Sequence, residues 1–192
     1  MKISLTTLKP AGCAVLGGAM ALFMGCGGAS APKASTPEAG SLAYTAPTGS
    51  GYRLVRDPAS TGSHLVLDLV GPAGTRLKGV VFTLNADTTR VAFANAGGTD
   101  PYVKEGQVLT LGTGTPLVKG EIVGAALQSA VFQKGAAAPA TLGNQPLLSV
   151  ALNLKAGAAL GAVNLSSTSA QILGASGKTQ AITVAVGTLS AE

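Results

Sequence analysis

The chain has no tryptophan, a single histidine at position 64, and only two cysteines, Cys13 and Cys26. Each scarcity removes a class of chemistry. A zinc centre needs three or four His, Cys or carboxylate ligands, and one histidine with scattered acids does not supply them, so no metal or other cofactor is expected. Charge is sparse as well: 11% of residues are charged, and the formal net charge of +5 is dispersed. Lys104, Lys119, Lys134, Lys155 and Lys178 stand singly along the chain. No basic stripe interleaved with aromatics forms, which argues against nucleic acid. No Gly-x-Ser-x-Gly elbow is present. The segment 174–179 imitates a phosphate loop, but Ile172 stands where such a loop needs glycine, and alternating residues follow where it needs a helix. That segment reads as a hairpin turn.

The N-terminus carries the most specific signal. Lys2 and Lys9 form a cationic region ahead of the apolar run Ala11 to Met24, which is shorter than the about 20 residues that span a bilayer. Residues 1–25 therefore read as an export signal. The stretch Leu22-Phe23-Met24-Gly25-Cys26 resembles a bacterial lipobox, which implies that Cys26 is lipidated and begins the mature chain. Each buried methylene contributes about 0.8 kcal/mol, so two or more acyl chains such as palmitate anchor stably in a membrane. Cys13 is lost with the signal, leaving no pair for a disulfide. Gly27 lacks the acidic character that resembles an inner-membrane retention signal, so the expected location is the bacterial envelope, at the outer membrane if the cell is Gram-negative.

Residues 26–50 are Gly, Ala, Ser, Thr and Pro with little patterning, and read as a flexible tether in which Leu42 and Tyr44 are the sizeable apolar groups. Residues 51–192 have the size of one domain. Within them period-two alternation dominates, as in His64 to Val70, Leu77 to Asn85, Leu148 to Leu154 and Ile182 to Val186. Further strands are expected at Tyr52 to Arg56, Arg90 to Asn95, Gln107 to Leu111, Glu121 to Leu127, Ala162 to Ser166 and Ala170 to Leu173. Turn signals such as 71–74, 85–87, 97–98 and 174–177 separate them. Eight or nine short strands without crossover helices predict an all-β, two-sheet sandwich.

The order of these elements is similar to that of a known family. Leu65 to Val70, the run from Lys78 to Asp87, and Thr89 to Phe93 resemble the opening of a cohesin-like domain. Glu121 to Leu127, Gln145 to Lys155, Gly161 to Leu165 and Ile182 to Leu189 resemble its second half. The resemblance implies a jelly-roll sandwich of the carbohydrate-binding-module-like superfamily, and a non-catalytic module that binds a protein, a dockerin domain in the family's usual case. A carbohydrate-binding module at the cell surface or periplasm is the alternative, weakened by the lack of flat aromatic platforms.

Few side chains stand out as chemical candidates. Tyr102, beside Pro101 in a polar loop, is the candidate contact residue. His64 with Asp68 four residues on would serve a secreted hydrolase, a weaker reading. Asp57, Asp87 and Asp100 sit at turns, where aspartate accepts from nearby backbone amides, and a calcium ion at the sandwich rim is the rarer use of such residues. The anchor assignment makes a direct prediction. Cys26→Ser is expected to leave the protein unacylated and soluble after cell fractionation; partition with membranes would contradict it.

Overall fold

Two leucine-rich alternations and one phenylalanine-centred strand organise the molecule. The computed structural model describes residues 36–110, 117–134 and 136–192. Residues 1–25, expected to be an export signal, lie outside the described residues, as do Cys26 and residues 27–35. In chain order the strands are β1 (Leu42–Thr45), β2 (Arg53–Arg56), β3 (His64–Val70), β4 (Arg76–Ala86), β5 (Val91–Ala94), β6 (Val103–Glu105), β7 (Leu117–Val123), β8 (Ala126–Phe132), β9 (Ala140–Thr141), β10 (Leu148–Leu154), β11 (Gly161–Val163), β12 (Leu165–Gly174), β13 (Thr179–Ala181) and β14 (Thr188–Ala191), with a 3-10 turn over Gln107–Thr110.

On β3, Leu65, Leu67 and Leu69 point to one side, and the antiparallel register sets them opposite Leu152, Val150 and Leu148 of β10. These rows belong to a five-stranded sheet ordered β2-β3-β10-β5, with β6 also pairing β10. A six-stranded sheet ordered β13-β12-β4-β8-β7, with β9 on β4, supplies Val80, Phe82, Leu84, Leu127, Val131, Ala170 and Ile172 to the same buried cluster. Each fully buried Leu, Val or Phe contributes about 1.5–3 kcal/mol by leaving water. Packed this way, the two sheets form a β-sandwich, as the alternation and turn spacing predict.

The domain begins earlier than Gly51. Leu42 and Tyr44 alternate inward from β1, which pairs with β14, and β14 in turn pairs with β11. Leu42 is buried with Val163, Leu189 and Ala191. The Tyr44 hydroxyl donates to the Leu54 carbonyl at 3.2 Å and accepts from Gly187 N–H at 2.8 Å, tying this third sheet to β2. Residues 42–45 are thus structural, and the tether ends before them.

Three strand expectations are also corrected. Gln107 to Thr110 forms a 3-10 turn instead, with Val108 and Leu109 both buried; Leu111 lies outside the described residues. Glu121 to Leu127 is no single strand but the hairpin between β7 and β8, bent at Gly124, whose φ is 63°. A glycine with positive φ at the first central position fits a two-residue II′ turn. Ile182 to Val186 crosses between sheets, touching β2 only through the parallel bridge of Ala185 to Arg53, and the closing strand is β14.

Phe82 is fully buried at the centre of β4. Phe82→Ala is expected to reduce unfolding free energy by about 3–5 kcal/mol, read as a shifted urea midpoint with unchanged slope.

Candidate binding face

Once the inner rows are fixed, period two dictates which residues each sheet shows to the outside, and the two sheets differ sharply there. On the five-stranded sheet the outward residues at the centre are covered: Val66, Asp68, Val70, Ser149 and Ala151 are all buried. Val66 and Ala151 form a second small cluster with Ala94 and with Ala96, which follows β5 and folds back over them. Small side chains make this closure feasible.

The six-stranded sheet is open. Its outward residues are Leu117, Lys119, Glu121 and Val123 on β7, then Ala126, Gln128, Ala130 and Phe132 on β8. They continue through Val81, Thr83 and Asn85 on β4 to Ser169 and Gln171 on β12, in register across the strands. None of these is buried. Phe132 lies opposite Gly79, and its ring fills the space that a Cβ there would need. An aromatic laid over a sheet glycine protects the weak strand position. The face is mixed: Leu117, Phe132, Val81 and Leu173 make one end apolar, Gln128, Thr83 and Ser169 form a polar band, and Val123 and Ala126 add apolar surface beside Asn85 at the far end.

Asp68 and His64 do not assemble a catalytic set. His64 Nδ1 is 2.5 Å from Asn153 Oδ1, while Asp68 accepts from Ser149 Oγ at 2.6 Å. A serine and an aspartate meet with no imidazole between them, so His64, Asp68 and Ser149 do not form a hydrolase triad. Burial pushes the Asp68 carboxyl above its ordinary value; the Ser149 hydrogen bond opposes this, Asp57 adds to it, and Lys104 draws it back. A hollow of about 330 Å³ beside Val55, Val70 and Gly143 has Arg53 as its ionisable group, with no acid or base to pair with it.

The turn aspartates act as caps. Asp57 accepts from Ala59 N–H at 2.6 Å, and Asp100 from the Tyr102 and Val103 N–H groups at 2.9 and 3.0 Å. Asp87 accepts from both the hydroxyl and the amide of Thr89, which hold its carboxyl below the usual range, with Arg90 alongside. Among the described residues no group of three or more His, Cys, Asp or Glu is placed to hold a metal. Tyr102 is half-buried and packs against the main core, so it is not the freely exposed contact its loop position suggests.

No family model matches the sequence, and no curated protein does. Solved structures do match. A type II cohesin in a cohesin–X-dockerin complex from Acetivibrio cellulolyticus superposes with a TM-score of 0.56 at 12% identity, covering 72% of this chain and 95% of that one. The fold is cohesin-like. The second type II cohesin module of the adaptor scaffoldin from the same organism gives 0.56 at 12% identity over 72% of this chain and 93% of that module. A further type II cohesin domain from its cellulosome gives 0.53 at 13%, over 74% and 95%. The sequence signals that reach this cohesin-like fold are the strand order and the aspartate turn after β4. Those that would find its open face are weak, because Val81, Gln128 and Gln171 are ordinary strand residues in the sequence.

The raised Asp68 value fixes a sign. Because the folded state favours the protonated carboxyl, its stabilising contribution is full below pH 3.8 and is lost as pH rises through the higher folded value. Asp68→Asn, which keeps an oxygen for Ser149, is expected to remove that fall from the stability profile, measured as urea midpoints across a pH series.

Proposed function

We propose that the chain is an exported, lipid-anchored and non-catalytic module that binds a protein partner through the outer face of the six-stranded sheet. The observation that carries this reading is the contrast between the two faces: one closed by its own small residues, the other open and mixed apolar and polar. A flat sheet surface with half-buried apolar groups and a polar surround suits a protein partner better than a sugar, which needs aromatic platforms. Type II cohesins of this fold are seen in complex with dockerin modules, which supports a dockerin-like domain as the partner class. Attachment through Cys26 would present the module at the bacterial envelope.

The test uses position-specific crosslinking. A photo-crosslinking residue at Gln128 or Gln171 is expected to capture one discrete protein in the source cells, whereas the same residue at Ala96 on the closed face captures none. Val81→Lys, in the middle of the open face, is expected to reduce capture about tenfold with little change in melting temperature. Equal capture from both faces, or none from the open one, would contradict the reading.

A further inference from the structure

Strand β7 ends the six-stranded sheet and is an edge. Three of the four large hydrophobic side chains that stay exposed among the described residues lie on it: Leu117 at 53%, Ile122 at 38% and Val123 at 52%. Soluble proteins normally blunt such an edge, since its unpaired backbone groups template further pairing. In the β7–β8 hairpin, Val123 faces Ala126 across the two-residue turn. Residues 117, 119, 121 and 123 therefore turn their N–H and C=O groups toward β8, and Val118, Gly120 and Ile122 turn theirs outward.

The residues of this edge read the same chemically in both directions about Gly120: Leu117, Val118, Lys119, Gly120, Glu121, Ile122, Val123. Two copies running antiparallel with a twofold axis at Gly120 set Leu117 against Val123, Val118 against Ile122, and Lys119 against Glu121 twice. The outward-turned groups at 118, 120 and 122 are the ones this register brings together. Neither Lys119 nor Glu121 has an ion-pair partner among the described residues. We propose that a second copy of this chain pairs at β7 in this register, making one continuous sheet across the dimer. Isologous contacts need a self-complementary patch, and β7 supplies apolar, hydrogen-bonding and ionic complementarity at once. Both open faces then lie on the same side, free for other partners, so the pairing does not depend on the partner-binding reading.

Among the described residues the loop 100–103 competes for the edge, for Gly120 is buried with Tyr102 and Val103 packed against it. Asp100 Oδ2 accepts from Gly120 N–H at 3.0 Å, while its Oδ1 caps Tyr102 and Val103. Pairing replaces the carboxylate at Gly120 with the facing Gly120 carbonyl. Asp100 is thus a guard that sets how tightly two copies join.

Sedimentation equilibrium of the purified protein tests this. The wild type is expected to show a monomer–dimer equilibrium. Lys119→Glu and Glu121→Lys each place like charges opposite one another twice and are expected to weaken the dimer about tenfold or more. The double swap Lys119→Glu with Glu121→Lys restores the ion pairs and is expected to return the dissociation constant to within about threefold of wild type. Asp100→Asn leaves one acceptor oxygen for both the turn and the edge and is expected to tighten the dimer, with thermal melts confirming that each variant folds. Should Asp100→Asn fail to fold, the charge swaps decide. A wild type and a folded Asp100→Asn variant that are both monomeric would overturn the proposal, as would single reversals without effect or a double swap as weak as either single.

Discussion

The contact between the leucine rows of β3 and β10 and the Phe82-centred row of β4 is the constraint on which everything else depends. Because side chains alternate with a period of two, committing Leu67 and Val150 inward commits Val66 and Ala151 outward, and committing Phe82 inward commits Val81 and Thr83 outward. A slip of one residue would exchange the faces wholesale. The surface of this protein is in that sense a consequence of its core.

What differs between the sheets is the size and company of the outward residues. The five-stranded sheet shows Ala94, Ala151 and Ser149 outward, small enough for the following loop to lie over them and for Asp68 to be drawn under cover. The six-stranded sheet shows Gln128, Gln171, Lys119 and Glu121, which nothing in the chain covers among the described residues. Strands β7, β8, β4 and β12 carry this open face, and at Gly120 the edge beside it is covered by the loop 100–103, whose Asp100 carboxylate takes the Gly120 N–H. Fold likeness at 12–13% identity establishes the architecture; the functional reading rests on the faces.

Legibility in the sequence followed the strength of the periodic signal. Strands β3, β4 and β10 were readable because bulky aliphatics alternate over seven or more residues between clear turns. β1 was hidden: Leu42 and Tyr44 sit among Gly, Ser, Thr and Pro, and only the distant β14 gives them a partner. The β7–β8 hairpin was hidden because Ile122, Gly124 and Ala126 keep a period of two straight through the turn, so only the positive φ of Gly124 separates two strands from one. Tyr102 misled for a related reason: its loop is polar, yet the Asp100 cap turns the ring against the core. The open face left little trace, since which strands lie side by side is decided by pairings such as Gln171 with Val81 that are far apart in the chain.

Hydroxyl-radical footprinting, on intact source cells and on the purified protein, tests the central claim about the open face most directly. The account predicts that Phe132, Val81 and Leu173 lose reactivity in cells while Val55 and Ala92 on the other sheet do not. Unchanged reactivity of the first three, or protection confined to the five-stranded sheet, would contradict it.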